Sequence, residues 1–346
     1  MFYADVQKRG LASNYSQYRF FRKENKRIFE YLRKFPILPK NQKTNFVSKW
    51  NFGRFFLHKV SYFVEPQLRV SAYLLIPKQM ETKEVPGIVA LHEHNDEYKA
   101  GKSEVVGLVE DPTYTKLKAV YPDPAHRPPQ SHKQFAYGKE LCENGFIVLA
   151  PDFIGFEEYR DSNWELDDYY EEPGFIRGYE EMLSEKYLLY GSCLLAKHVH
   201  DLYVAVSVLT SIEHVDPNKI GVIGHSLGGE IASIITAFDK RIKAGVSSCG
   251  TFSYEDFENS NRMETADTII PNFRSDHRDF DFFLDMIPPK PFLSINGDKD
   301  IGPMARRLLR NKRRNFEATF HEGAHEFPSD ARNRAYLFLQ ENLTRQ

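Results

Sequence analysis

Short apolar runs alternate along this chain with longer segments in which apolar residues recur at helical spacing. The runs are continuously apolar, which is typical of strands buried on both faces of a sheet. They read GIVALHEH, GFIVLAPD, KIGVIGHS, IKAGVSSCG, PFLSINGD and FEATFHEG. Helical segments lie between several of them and read KQFAYGKELCEN, AKHVHDLYVAVSVLTSI and GGEIASIITAF. The alternation predicts an α/β fold whose mostly parallel central sheet is covered by helices on both faces.

The N-terminal part of the chain has a different pattern. Residues 14–35 carry apolar side chains at helical spacing and end before Pro36, so a helix is expected there. Two strand-like runs, GRFFLHKVSYFV and LRVSAYLLIPK, flank Glu65-Pro66-Gln67 and predict a hairpin. We therefore expect a basic, aromatic extension over residues 1–60, made of a helix and a first strand. A single α/β domain is expected over residues 61–346.

Two long connections interrupt the rhythm of the α/β domain, at about residues 95–134 and 156–190. The second is acidic and rich in aromatic residues, among them Tyr159, Trp164, Tyr169, Tyr170 and Tyr179. Long connections inside a compact domain are commonly lids or binding loops. We expect segment 156–190 to be a lid over the site, with Trp164 and Tyr170 as substrate contacts.

Composition and charge narrow the function classes. The 346 residues carry a formal net charge of −2, which gives no reason to expect a nucleic acid partner. The charge is uneven: residues 1–60 hold 14 Lys and Arg against 3 Asp and Glu, whereas residues 156–190 hold 3 against 11. These patches are either solvated faces or surfaces that dock on one another or on partners.

The cysteine pattern and the hydropathy bear on the compartment. The three cysteines have neither disulfide nor metal-ligand spacing, and no apolar run is long enough to span a membrane. A soluble, cytoplasmic protein with no membrane partner is expected, and its oligomeric state is left open.

One serine stands at a junction between a predicted strand and a predicted helix. Gly224-His225-Ser226-Leu227-Gly228 matches the pattern Gly-X-Ser-X-Gly, in which small neighbours allow a sharp turn that exposes the serine Oγ. The helix that begins near Leu227 would direct its free N–H groups at a developing oxyanion. Ser226 is therefore a candidate nucleophile, and the alternative is a structural turn.

A serine hydroxyl needs a base to accept its proton, and the base needs an acid to orient it. His325 follows a Gly-Ala turn after the last predicted strand and is the candidate base, with His321 as its competitor. The preceding predicted strand ends at Asp298 and Asp300. The order Ser, Asp, His is that of α/β-hydrolases.

An ester hydrolase also needs a second oxyanion donor. The loop after the strand GIVALHEH is the expected source, with a backbone amide of Glu93 or His94 beside that of Leu227. His92 and His94 also form a His-X-His pair, for which a metal site is the alternative. We expect no metal.

The motifs PGIVALHEH, YGKELCENGFIVLAPDFIGF, VDPNKIGVIGHSLGG and PPKPFLSINGDKDIGP, with GAHEF near the C-terminus, resemble the α/β-hydrolase superfamily. Within it the chain is similar to the branch of dienelactone hydrolases, acetyl xylan esterases and prolyl-oligopeptidase-like enzymes. The resemblance covers about residues 85–346. It implies that the acid lies three residues past Gly297, which is Asp300. Many relatives have His-Gly where this chain has His92-Glu93, so the amide that completes the oxyanion hole is not assigned by the resemblance.

These observations predict a serine hydrolase that cleaves a carboxylic ester without a cofactor. Ser226 is expected to attack, His325 to act as the base and Asp300 to orient it. Leu227 and His94 are expected to bind the oxyanion, and Glu93 to contact the substrate, a small-molecule ester. Amide hydrolysis or other acyl transfer by the same residues is one alternative. A non-catalytic binding protein that keeps the fold is the other.

Overall fold

A computed structural model of the chain describes residues 30–32, 34–35, 43–80, 83–94, 100–108, 136–160, 178–260 and 266–344. Nine strands form one sheet in the order β1-β2-β3-β5-β4-β6-β7-β8-β9. The strands are β1 (Asn45–Asn51), β2 (Phe55–Glu65), β3 (Leu68–Pro77), β4 (Val85–Leu91), β5 (Ile147–Pro151), β6 (Val215–His225), β7 (Ile242–Ser248), β8 (Phe292–Gly297) and β9 (Phe316–His321). In this sheet order, all neighbours from β5 to β9 pair in parallel. The other three pairs, β1 with β2, β2 with β3 and β3 with β5, are antiparallel. The predicted mostly parallel sheet is confirmed.

Helices cover both faces of this sheet. They are α1 (Lys102–Val105), α2 (Tyr137–Glu143), α3 (Gly178–Leu189), α4 (Leu194–Leu209), α5 (Leu227–Phe238), α6 (Tyr254–Ser260), α7 (Asp281–Leu284), α8 (Pro303–Arg310) and α9 (Ser329–Thr344). Within the described residues, no helix is both long and apolar enough to cross a membrane.

Two hydrophobic clusters explain why the predicted strands are continuously apolar. In β6, Val222 belongs to the cluster that includes α4 and α5, whereas the next residue, Ile223, belongs to the cluster that includes α2 and α9. Adjacent side chains of a strand point to opposite faces, so both faces of β6 are buried. Each face therefore demands apolar residues, and helices with apolar stripes cover them.

The hairpin expected around residues 65–67 is present, since β2 and β3 pair antiparallel from Phe55 and Pro77 to Glu65 and Leu68. Strand β1 was not predicted. It pairs only with β2 at the edge of the sheet, and its Phe46 and Trp50 are exposed, so its sequence lacks the pattern of a buried strand. Most of the helix expected over residues 14–35 lies outside the described residues.

The register of the parallel strands brings their carboxyl ends to one edge of the sheet. Leu91 at the end of β4 pairs with Gly224, and His225 at the end of β6 pairs with Ser248. Gly297 at the end of β8 pairs with His321 at the end of β9. The chain segments that follow these strands therefore emerge side by side, at the edge where α/β sheets bind their ligands.

A buried lysine, Lys102, joins the segment that follows β4 to the segment that follows β5. The Lys102 ammonium is inaccessible to solvent and lies 2.6 Å from Asp152 Oδ2 and 2.7 Å from Glu158 Oε2, with Glu157 as a third carboxylate partner. Asp152 follows β5, and the two glutamates begin the acidic segment 156–190. This end of the segment is therefore tied to the interior of the protein. Tyr159 is also buried and donates its hydroxyl to Asp201 of α4, so it belongs to the core and not to the predicted lid wall.

The junction between β6 and α5 depends on two glycines. A Cβ at Gly224 would clash with the carbonyl oxygen of Gly228, and a Cβ at Gly228 would clash with the carbonyl oxygen of Leu91. Both obstacles are backbone atoms, which cannot rotate away. Glycine at both positions lets the first turn of α5 pack directly on the end of β4.

We expect Lys102→Met to lower the free energy of unfolding by about 3–5 kcal/mol, because it leaves buried carboxylates without their cation. Lys59→Met is the matched control, since Lys59 pairs with the same Glu158 from a partly exposed position and should cost about 1 kcal/mol or less. Urea unfolding of both variants measures the difference. Equal, small losses would contradict a structural role for the buried cation.

We also expect Gly228→Ala to destabilise the protein more than Gly221→Ala. A Cβ at Gly221 meets the ends of flexible side chains, with Ile88 Cδ1 at 2.7 Å, so it should cost about 1–3 kcal/mol. The backbone clash at Gly228 should exceed that range. Thermal or urea unfolding of the two variants provides the comparison, and a smaller loss for Gly228→Ala would refute the packing argument.

Candidate active site

Ser226 occupies a strained turn between β6 and α5. Its φ of 53° and ψ of −124° fall where side chains other than glycine are rarely found, at a cost of about 1–3 kcal/mol. Two backbone hydrogen bonds hold the turn: Ser226 N–H donates to Ser248 O at 2.9 Å, and Glu230 N–H donates to Ser226 O at 2.9 Å. The serine is thus fixed at the carboxyl edge of the sheet, where the Gly-X-Ser-X-Gly pattern predicted a sharp turn.

His325 and Asp300 form a close pair on the loops that follow β9 and β8. His325 Nδ1 lies 2.9 Å from Asp300 Oδ1 and 3.0 Å from Oδ2. Because a carboxylate accepts, Nδ1 carries the proton and donates, which leaves Nε2 with its lone pair. The His325 side chain is 46% exposed and that of Asp300 23%, so Asp300 anchors the ring while part of the ring remains accessible to solvent.

Asp298 makes different contacts from Asp300. Its Oδ1 accepts a hydrogen bond from Gly323 N–H at 3.0 Å, and its own N–H donates to His321 O at 3.0 Å. Asp298 therefore joins the β8 loop to the β9 loop and sets the position from which His325 reaches Asp300. His321, the competitor for the base, donates Nε2–H to Glu326 O at 3.1 Å, so this nitrogen is already used by a backbone carbonyl.

Two further side chains, His225 and Cys249, lie beside this pair, and the sequence analysis did not single out either as a neighbour of His325. The His225 ring is fully buried, with its centroid 5.0 Å from that of His325, and it stacks on Phe327. Burial, with the nearby His325 and His321, lowers the pKa of His225 well below its usual value. A neutral His225 adds no positive charge that would oppose protonation of His325.

Cys249 follows β7 with a φ of 48°, and its thiol donates to Glu326 O at 3.4 Å. Burial, reinforced by the charge of Asp300, raises the pKa of this thiol to about 12. The thiol is therefore protonated at neutral pH and does not compete with a serine as a nucleophile.

The loop after β4 lies against the serine turn, because Gly228 packs on the carbonyl oxygens of Leu91 and His92. His92 is fully buried and uses both ring nitrogens: Nδ1–H donates to Glu93 O at 2.6 Å, and Nε2 accepts from Phe153 N–H at 3.0 Å. Burial lowers the pKa of His92 to about 3, so the ring is neutral. His92 has no nitrogen left for a metal, which removes the His-X-His alternative.

Other residues predicted to bind the substrate or the oxyanion are Glu93, His94, Trp164 and Tyr170. Glu93 is buried, and its Oε2 lies 3.7 Å from His225 Nε2. His94 is buried and bonds to Glu180 of α3, at the C-terminal end of the predicted lid segment. Trp164 and Tyr170 lie outside the described residues.

Among the described residues, three groups bring together side chains that could ligate a metal ion. They are Cys249, Asp300 and His325; His94, Glu180 and Asp267; and Asp152, Glu157 and Glu158. The first is the pair already described with the neighbouring thiol. The third already surrounds the Lys102 ammonium. Among the described residues, the second has no lysine or arginine in an ion pair with its carboxylates.

Comparisons with known proteins agree with this architecture. A curated relative, "Putative hydrolase YtaP" of Bacillus subtilis (strain 168), is 26% identical over 234 residues, which are 67% of this chain and 66% of the relative. The match thus spans slightly less than two thirds of that relative's length.

Solved structures share the fold at low sequence identity. The "putative acetyl xylan esterase" of Bacteroides fragilis NCTC 9343 superposes with a TM-score of 0.63 at 18% identity, covering 90% of this chain and 79% of that one. Acetyl xylan esterase 1 of Thermoanaerobacterium sp. JW/SL YS485 gives 0.56 at 14% identity, covering 97% of both chains.

The sequence model of the alpha/beta hydrolase fold matches residues 127–336, which is more than half of the chain. That span includes the Ser226 turn and the loops that carry Asp300 and His325. The sheet order, the strained turn and this match lead to one conclusion: the chain belongs to the α/β-hydrolase family.

Proposed function

We propose that this protein hydrolyses a carboxylic ester through Ser226, His325 and Asp300. The observation that carries the proposal is the contact of His325 Nδ1 with both oxygens of Asp300, at the same edge of the sheet as the strained Ser226 turn. Membership in the α/β-hydrolase family supports the assignment. The names of the esterases that share the fold favour esters over other acyl substrates.

The proposed reaction begins with proton transfer. Asp300 holds the proton on Nδ1 of His325, so Nε2 accepts the proton of Ser226 Oγ as that oxygen attacks the ester carbonyl. The tetrahedral intermediate collapses when His325 returns the proton to the departing alcohol oxygen. Water then attacks the acyl-enzyme by the same route and releases the carboxylic acid.

The developing oxyanion needs two donors. Leu227 is the first residue of α5, so its N–H has no partner within the helix and is the first proposed donor. The backbone amide of His94, on the loop that follows β4, is the proposed second donor. Pairing of Leu91 with Gly224 supports this assignment, since it makes the two loops neighbours.

The substrate we propose is a small-molecule ester, with Glu93, Trp164 and Tyr170 as contacts. The two acetyl xylan esterases named among the structural neighbours make an acetylated sugar the first compound to test. We also propose a cytoplasmic location, because all three cysteines are free thiols.

Ser226→Ala tests the nucleophile. The smaller side chain fits the same turn, so the variant should fold, while turnover of an acetyl ester should fall by several orders of magnitude. Fluorophosphonate labelling of the wild type should modify Ser226, and the variant should remain unlabelled. Retention of more than about a tenth of the wild-type rate would exclude Ser226 as the nucleophile.

A panel of matched esters and amides, assayed with the wild-type protein, separates the two chemistries. Faster turnover of the amides than of the esters would contradict the esterase proposal and favour an amidase that uses the same residues.

Asp300→Asn and Asp298→Asn separate the orienting acid from the turn residue. Asparagine at position 300 keeps the shape but favours the wrong tautomer of His325, and turnover should drop by a factor on the order of 10⁴, by analogy with serine proteases. Asp298→Asn retains the acceptor for Gly323 N–H and should cost little rate. Rates are compared at matched folded fractions, and loss of activity only in Asp298→Asn would reverse the assignment.

A further inference from the structure

A second buried group of ionisable side chains lies behind the loop that follows β4. His94 comes from that loop and Glu180 from α3. Asp267 lies in the short helix Ala266–Thr268, and His198 belongs to α4. His94 Nε2 is 2.9 Å from Glu180 Oε2, and His198 Nε2 is 2.7 Å from Asp267 Oδ1. All four residues are at least 95% buried. None of them takes part in the proposed ester chemistry through its side chain.

One carboxylate oxygen in this group receives no hydrogen bond from a nitrogen or hydroxyl group of the described residues. Asp267 Oδ2 is buried and lies 3.9 Å from His94 Nε2, with the Glu180 carboxyl as its other neighbour. Leaving a buried carboxylate oxygen unpaired is costly, so such an atom calls for an explanation. The candidate ligand atoms of His94, Glu180 and Asp267 all lie within 4.8 Å of one another. The unsatisfied oxygen therefore faces the same small space as an imidazole nitrogen and a second carboxylate.

The charge in this group differs from that around Lys102. There, three carboxylates surround an ammonium that supplies the positive charge. Here, within the described residues, neither Glu180 nor Asp267 has an ion pair with lysine or arginine, and histidines are the only basic partners. Burial is the main cause that raises the pKa of Glu180 to about 7, and the negative charge of the nearby Asp267 adds to it.

We propose that His94, Glu180 and Asp267 form a binding site for one divalent transition-metal ion, with Zn²⁺ as its best chemical match. One imidazole nitrogen and two carboxylate oxygens are ligands that zinc takes in proteins. Zinc–ligand bonds of about 2.0–2.2 Å in a tetrahedral arrangement separate ligand atoms by about 3.3 Å. The separations of 2.9 and 3.9 Å bracket that value, so small side-chain shifts complete the site.

His198 completes the arrangement as an outer partner. Its hydrogen bond to Asp267 Oδ1 orients the carboxylate so that Oδ2 points toward His94 and Glu180. A bound ion would join α3 to the loop after β4 and hold that loop against the Ser226 turn. The site shares the loop of His94 with the proposed oxyanion donor, but binding of the ion does not require ester hydrolysis.

Isothermal titration calorimetry with Zn²⁺ alone tests the proposal on the full-length protein after chelator treatment and dialysis. We expect one equivalent to bind to the wild type, and bound Zn²⁺ to raise the melting temperature. Asp267→Asn should weaken binding by at least about 100-fold, because removing a ligand costs more than the 10- to 100-fold typical of outer partners. The asparagine oxygen still accepts from His198, so the fold should persist.

His94→Gln provides a second ligand variant and should weaken Zn²⁺ binding similarly. His325→Gln is the matched control, because His325 belongs to the other histidine-containing group near the sheet edge. It should bind one equivalent with wild-type affinity. Circular dichroism verifies the fold of each variant. Loss of binding in His325→Gln alone, unchanged binding in Asp267→Asn and His94→Gln, or no binding by the wild type would each overturn the proposal.

Discussion

The close contact between the first turn of α5 and the end of β4 is the constraint on which the rest of the site depends. Gly224 and Gly228 make that contact possible, since any Cβ would meet backbone carbonyl oxygens. The contact forces the chain through the strained conformation of Ser226, and hydrogen bonds to Ser248 and Glu230 hold it there. The free energy that packs α5 onto the sheet thus also maintains an unfavourable backbone geometry at one residue.

The sheet of this protein was predictable because burial on both faces leaves a continuous apolar signal, as in β6 and β7. Strand β1 carries no such signal, because it lies at the edge with exposed Phe46 and Trp50. The positions of Ser226 and His325 followed from strand ends and turn chemistry, whereas the choice of Asp300 over Asp298 followed from the resemblance to α/β-hydrolases. His225 and Cys249 were not recognised as neighbours of His325, because contact between segments that follow β6, β7 and β9 depends on strand register and loop path, which local sequence does not encode.

The buried charges show a second limit of sequence. Lys102 and Glu157 lie in the two long connections and Asp152 directly follows the apolar run of β5, yet the fold buries all three together. A second group brings together four residues, each from a separate element: His94, Glu180, His198 and Asp267. Such pairs join charged residues that lie far apart in the chain. No periodic pattern in the sequence indicates which of these charges will meet. Such pairing also explains why the acidic start of segment 156–190 is part of the interior.

The pairing of Leu91 with Gly224 also fixes how far apart the segments that follow β4 and β6 lie. Neighbouring strands are separated by about 4.8 Å, a distance that sheet hydrogen bonding dictates and side chains hardly change. The sheet therefore sets the spacing between the loop after β4 and the Ser226 turn. The described starts of the two long connections are held differently, because the Lys102 ammonium and the Glu157 carboxylate join them through side chains. A single substitution can remove that ion pair, whereas it leaves the strand spacing unchanged. Reaction geometry and the anchoring of these connections thus depend on different kinds of contact, one of the backbone and one of side chains.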